Sequence, residues 1–247
     1  MKDILDLHTH TLACGHAYNT LFEMFEGAHQ RGLALFGSSD HAPNIPGASS
    51  YMYFSNFKVV PRTYKDMPVM LGCELDIIDH KGAVDLPTYV LRKLDYAIAS
   101  IHGQCYHNGT VAENTAAVIG ALQNPFVKIL GHPDDNRYPV DYRPIVEAAR
   151  DCHKLIELNN SSLIPGNGRP GARANDLKLL PLCAELGVSI IVNSDAHVVT
   201  DIGRHEYAMA LLEEIHFPEE LVVNTSLEKL ASFIPAVSSI CGLKTNE

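Results

Sequence analysis

No apolar stretch in the 247 residues approaches the roughly 18 needed to cross a bilayer, so no membrane-spanning helix is expected. A secretory leader is not evident: Met1-Lys2-Asp3 runs straight into the strand-like Ile4-Leu5-Asp6-Leu7, which predicts a cytoplasmic protein. None of the six cysteines, at positions 14, 73, 105, 152, 183 and 241, belongs to a Cys-x-x-Cys pair. Scattered in this way they read as reduced thiols. Basic charge is scarce. Against 29 Asp and Glu stand 19 Lys and Arg, a formal net charge of −10, and general nucleic-acid binding, which leaves a basic footprint, is not expected. With 46% hydrophobic and 19% charged residues, disordered, collagen-like and coiled-coil classes are excluded too. Internal repeats, an acidic tail and low-complexity tracts are also lacking. What the chain has in excess is histidine, with 13 beside those 19 Lys and Arg.

Seven short β-rich runs are expected as strands: Ile4–His8, Ala34–Ser38, Val69–Leu75, Tyr96–His102, Lys128–His132, Lys154–Asn159 and Val188–Asn193. Helical spacing occupies Ala112–Gln123, Pro144–His153, Asp176–Leu186 and Glu206–Ile215. Pro144 stands where a first-turn proline would, Asp176 where a cap would, and Gly187 where a helix stops. Strands alternating with helices, with no break in composition, predict one parallel-stranded α/β domain over residues 1–247. The length suits a β/α barrel, and an open doubly wound sheet fits the same alternation. Two loops stand out. Pro43–Asn56, rich in Gly, Pro, Ser and Tyr, could form a lid. Ser161–Asn175 carries Gly166, Gly168 and Gly171 with Arg169 and Arg173; it reads either as a phosphate-recognising loop or as a solvated connection.

The histidines gather at strand ends. His8 and His10 are two apart after the first run, on one face of an extended chain, and His16 follows in the next loop. His41 comes just after the second run, Glu74 ends the third, His102 closes the fourth and His132 the fifth. Asp195 and His197 follow the seventh, again two apart. In a barrel, all these carboxyl ends meet at one mouth. A single histidine there is explained by a hydrogen bond. Nine such groups buried together would be costly without metal to pair them. Imidazole suits zinc, iron, copper or nickel, and nine ligands are too many for one tetrahedral ion. They divide into three ions with three protein ligands each. Two carboxylates against three divalent ions leave the mouth about four charges positive, a site for small anions and above all phosphate esters. His80, His107 and His205 are expected in surface loops.

His8-Thr9-His10, Ser39-Asp40-His41, Gly72-Cys73-Glu74, Ile101-His102, Gly131-His132-Pro133 and Asn193-Ser194-Asp195-Ala196-His197 resemble the motifs of the PHP (polymerase and histidinol phosphatase) superfamily. The stretch Glu157-Leu158-Asn159-Asn160-Ser161-Ser162 and the compact length are most similar to its YcdX-like phosphatases. The resemblance runs from residue 6 to about residue 200. It implies a distorted, TIM-like barrel of seven βα units with three divalent metal ions, usually zinc, with manganese or iron as alternatives. By the family's pattern His8, His10, Glu74 and Asp195 hold one ion, His16, His41 and His197 a second, and Glu74, His102 and His132 a third, so that Glu74 bridges.

The expected function is hydrolysis of small phosphate monoesters, with metal-bound hydroxide attacking phosphorus in line. Glu74 and Asp195 are the expected catalytic carboxylates, Asp195 or a metal-bound water being candidate general acids, and Arg169 or Arg173 would clamp the phosphate. Asp6, on the face of His8 and His10, and Asp40, beside His41, could each orient an imidazole through its second nitrogen; the alternative for Asp6 is that it simply caps the barrel interior. Histidinol phosphate, a sugar phosphate, a nucleotide or an oligonucleotide end would all suit such a site, and a homo-oligomer is compatible with the chain. Two other readings stay open: an amidohydrolase-type hydrolase and a non-catalytic metal-binding regulatory module.

Overall fold

The computed structural model of the chain describes residues 1–166 and 169–243. Among them are nine strands: β1 (Leu5–Asp6), β2 (Leu35–Ser38), β3 (Thr63–Tyr64), β4 (Met67–Leu71), β5 (Cys73–Asp76), β6 (Ala97–Ser100), β7 (Val127–Leu130), β8 (Leu155–Asn159) and β9 (Ile190–Asn193). The helices are α1 (Leu21–Arg31), α2 (Tyr51–Ser55), α3 (Thr88–Leu91), α4 (Val111–Leu122), α5 (Tyr142–Asp151), α6 (Asn160–Leu163), α7 (Ala172–Leu186), α8 (Glu206–Glu214), α9 (Leu227–Phe233) and α10 (Ala236–Ile240). Several begin on strong local signals. Thr20 with Glu23, and Thr110 with Glu113, form the capping boxes that open α1 and α4.

The strands form two sheets, ordered β1-β2-β4-β3 and β5-β6-β7-β8-β9. All neighbours are parallel except β3, which runs antiparallel to β4. Single parallel bridges join Thr9 to Ala196 and His41 to Glu74, one at each seam between the sheets. Alternate residues feed two cores. Phe36, Ala97, Ala99, Ile156, Leu158 and Val192 pack in the same core as helix residues such as Phe25, Val118, Ile145 and Leu180. Leu35, Tyr96, Ile98, Leu155 and Ile191 form a second core with Leu5, Leu7 and the C-terminal Leu230, Ile234 and Val237. Burial on both faces is why these strands read as continuous apolar runs.

Three boundaries differ from expectation. The run Val69–Leu75 is two strands broken at Gly72, where a Cβ would lie 2.6 Å from the Tyr96 ring; the chain passes from one sheet to the other there. Helix α7 begins at Ala172, so Asp176 is a buried residue inside it rather than its cap. Pro144 is the third residue of α5, and Asp141 is the cap. The expected lid Pro43–Asn56 contains α2. Gly168 of the glycine-rich loop lies outside the described residues.

Candidate functional site

The strands stop short of most of the polar residues read as site candidates. β1 ends at Asp6, β6 at Ser100, β7 at Leu130 and β9 at Asn193, and His8, His102, His132 and Asp195 each follow by two residues. Two of these positions take the left-handed backbone, His132 at φ 24° and Asp195 at φ 54°. Such strain costs about 1–3 kcal/mol per residue and persists where the surroundings hold it.

Glu74 lies at the centre. Its Oε2 is 3.2 Å from His8 Nε2, 3.5 Å from His10 Nε2 and 2.9 Å from His41 Nδ1. Its Oε1 is 2.8 Å from His132 Nε2 and 3.3 Å from His102 Nε2. Asp195 Oδ1 stands 3.2 Å from His10 Nε2, 3.6 Å from His8 Nε2 and 3.5 Å from His197 Nδ1. His16 and His197 meet Nε2 to Nε2 at 3.0 Å, and the His16 and His41 rings stack with centroids 5.0 Å apart. All nine sequence candidates are thus brought together.

The arrangement is not a self-satisfied hydrogen-bond network. His8 Nε2, both ring nitrogens of His10, His41 Nδ1 and Glu74 Oε2 are buried without a hydrogen-bond partner among the described residues. Buried polar atoms are nearly always paired, so a cluster of orphans facing one another calls for a cation. Triplets with mutually close donor atoms include His8, His10 and Glu74; His16, His41 and His197; His41, Glu74 and His102; and His8, His132 and Asp195. Cys14 joins His10 and His197 in a further triplet that the sequence did not suggest.

The second nitrogens are held from behind. His8 Nδ1 is 2.7 Å from Glu157 Oε1 and His102 Nδ1 is 2.6 Å from Asp76 Oδ1. His16 and His197 turn Nδ1 to the carbonyls of Cys14 and Asp195 at 3.2 and 3.0 Å. Those contacts fix each ring with an Nε2 lone pair toward the cluster, as metal-bound histidine requires. Electrostatics are correspondingly strong. Burial pulls the His8 imidazolium down, but Glu157, Glu74 and Asp195 outweigh it and lift the group well above its ordinary value. Burial also opposes the charge on Glu74 and Asp195, yet the imidazoles, with Arg169 at Asp195, hold both well below the carboxylate range. Burial likewise disfavours the charged His102, and Glu74 and Asp76 overcome it to push the group up to about 10.

Glu157 and Asp76 are orienting groups that the sequence reading missed. Both interrupt apolar strands, in Leu155-Ile156-Glu157-Leu158 and Cys73-Glu74-Leu75-Asp76, and a carboxylate inside a buried strand needs a partner. Asp6 and Asp40 do not take the orienting role open to them, since their carboxylates are engaged elsewhere. Asp6 accepts from Ser194 N and Oγ and from Gly203 N, and Asp40 from Thr11 N and Oγ1 and Tyr53 OH. His205, expected in a surface loop, is buried and pairs with Asp3 and Asp6.

The two arginines part company. Arg169 enters the cluster, with Nη2 2.9 Å from Asp195 Oδ2 and Nη1 3.3 Å from Asn159 Oδ1 and 3.2 Å from Ser162 Oγ. Arg173 lies on the surface of α7, paired with Glu214 of α8 at 2.7 and 2.8 Å. An open cleft of about 320 Å³ leads to the cluster, lined by His16, His41, His102, His197, Asp195 and Arg169 together with Ile45, Pro46 and Gln104.

A family model described as the PHP domain matches residues 6–163. A protein of Caldanaerobacter subterraneus subsp. tengcongensis named "probable phosphatase" is 42% identical over 95% of this chain and 92% of its own length. One of the same description from Caldicellulosiruptor bescii is 44% identical over 93% and 95%. Among solved structures, the histidinol phosphate phosphatase of Lactococcus lactis, complexed with zinc, L-histidinol and phosphate, has a TM-score of 0.59 at 16% identity, over 87% of this chain and 95% of that one. A chain of an archaeal ribonuclease P with mature tRNA reaches 0.57 at 16% identity, over 98% and 94%; these two likenesses concern the fold. The chain belongs to the PHP family and stands with its phosphatases.

Proposed function

We propose that this protein is a metal-dependent phosphomonoesterase acting on small phosphorylated substrates in the cytoplasm, as one domain over residues 1–247. The observation that carries the reading is the convergence of five imidazoles on the single carboxylate of Glu74, with unpartnered donor atoms left facing one another. The parallel bridges at both seams support a distorted barrel of seven parallel strands, with β4 and β5 as two halves of one. The donor set fits three divalent ions, zinc first by its nitrogen and oxygen ligands, with manganese or iron as alternatives. His8, His10, Glu74 and Asp195 would hold one, His16, His41 and His197 another, and Glu74, His102 and His132 a third.

When bound, such ions supply Lewis-acid stabilisation of phosphoryl oxygens and activate water. The chain's own groups do the rest. Glu157 and Asp76 fix the rings of His8 and His102. Arg169, already at the cleft wall beside Asp195, offers a planar fork to the phosphate. Asp195, at the edge of the cleft, is held in its ionised form beside Arg169 and the imidazoles.

Metal-loaded protein should release phosphate from small aryl and alkyl phosphates, lose that activity on chelation and regain it with zinc or manganese. Cleavage of amides without phosphate release would replace the reading with an amidohydrolase one. Glu74→Gln keeps volume but removes charge and bridging, so it should lose more than one equivalent of metal, whereas His16→Ala should lose one ion at most. Equal losses in the two variants would refute the bridge.

A further inference from the structure

The cleft wall is unbalanced in charge. Arg169 supplies a cation, four histidines border the opening, and the one carboxylate in the lining is Asp195. That carboxylate is committed: its side chain is 5% exposed, Oδ2 is 2.9 Å from Arg169 and 3.3 Å from Asn159, and Oδ1 faces His10 at 3.2 Å. Among the described residues no other acidic group lines this cleft. An ammonium group on a substrate would therefore sit beside the guanidinium without a counter-charge.

The remaining wall suits something else. Residue 104 is in the turn after β6, where the backbone N–H groups of Cys105 and Tyr106 both donate to the His102 carbonyl. That turn puts Gln104 at the cleft wall, exposed, with no hydrogen bond to another described residue. A primary amide offers two donors and an acceptor, a match for hydroxyl groups and for no net charge. Ile45 and Pro46 give an apolar face for a short carbon chain. The volume, about 320 Å³, lies near the lower end of ligand pockets, roughly 300–1,000 Å³.

Resting on the phosphomonoesterase reading above, we infer that the substrates are phosphate monoesters of small uncharged polyhydroxy alcohols, that amine-bearing monoesters are rejected, and that Gln104 is the residue that reads the organic group. The cause of rejection is the missing counter-charge, so supplying one should reverse it.

A matched pair tests this. Glycerol 1-phosphate and 2-amino-1,3-propanediol monophosphate differ in one hydroxyl against one ammonium, at a pH where the amine stays protonated. Wild-type protein should favour glycerol 1-phosphate by about ten- to a hundredfold in kcat/KM, the range set by one hydrogen bond to a charged group. Gln104→Glu should erase or invert that ratio, lowering one member of the pair and raising the other, which general damage to the fold would not do. Calorimetric binding of the corresponding phosphonates should follow the same order without turnover. Equal handling of the pair, a preference for the amine, or a ratio unmoved by Gln104→Glu overturns the inference while 4-nitrophenyl phosphate is still hydrolysed. Failure to hydrolyse 4-nitrophenyl phosphate as well overturns the phosphomonoesterase reading and this inference with it.

Discussion

Arg169 and Arg173 are four positions apart in a glycine-rich stretch, and sequence alone assigns them the same task. The start of α7 at Ala172 separates them. Arg173 is carried on the helix to an exposed pair with Glu214, and an exposed pair of this kind contributes at most about 1 kcal/mol. Arg169 precedes the helix and turns inward to Asp195, Asn159 and Ser162. Arg169→Ala should lower kcat/KM by roughly one to two powers of ten, the worth of a charged hydrogen bond. Arg173→Ala should be close to wild type, and metal content should hold in both. Steady-state kinetics with metal analysis checks this, and equal losses would return the loop to a shared role. The nine clustered residues were legible because eight follow recognisable strands and the ninth, Glu74, lies within β5, near the end of the apolar run Val69–Leu75. Their supports were legible only in part. Asp40 adjoins His41 in extended chain, where neighbouring side chains point opposite ways, so it bonds Thr11 and Tyr53 instead. Asp6 is two residues from His8, but its carboxylate is taken by Ser194 and Gly203, and Glu157 reaches His8 Nδ1 instead.

The strands themselves were largely readable, since parallel strands buried on both faces are apolar throughout. Their ends were not, because strand pairing stops where the chain leaves the sheet, and no local residue marks that point. Thr63–Tyr64 carries too little apolar pattern in two residues to announce β3. The break between β4 and β5 does have a sequence mark, Gly72, whose meaning comes from a residue 24 positions on. A Cβ there would lie 2.6 to 2.8 Å from three atoms of the Tyr96 ring. Tyr96 is 1% exposed and its hydroxyl donates to the Leu7 carbonyl, so the ring has nowhere to retreat. Gly72→Ala should destabilise the fold by about 1–3 kcal/mol, as overpacking does. Urea unfolding should show a lower midpoint with an unchanged slope. An unchanged midpoint would mean that the ring yields freely.

At the scale of the whole molecule, the beginning of the chain is fastened to its last third. Ile4 N donates to the Asn224 carbonyl, and the Asn224 amide bonds Val192 on both its N–H and its carbonyl. His205, at the start of α8, pairs with Asp3 and approaches Asp6 at 3.8 Å. The histidine is 3% exposed. Burial opposes its charge, but the two carboxylates prevail and raise it from the ordinary 6.5 to about 10. A histidine raised on folding contributes stability that is complete below its unfolded pKa and disappears as pH climbs through the folded one. The window for His205 therefore runs from about 6.5 to about 10. His205→Gln keeps a polar side chain but removes the cation and leaves the buried Asp6 and the half-buried Asp3 facing it. Near pH 6 it should cost roughly 3–5 kcal/mol, the scale for breaking one side of a buried charge pair. The gap from wild type should narrow steadily with rising pH and nearly close by about pH 10, where half of the wild-type imidazoles have lost the proton as well. Urea midpoints of the two proteins across that range measure it. A gap that stays constant with pH would show that His205 holds the N-terminal segment by packing rather than by charge.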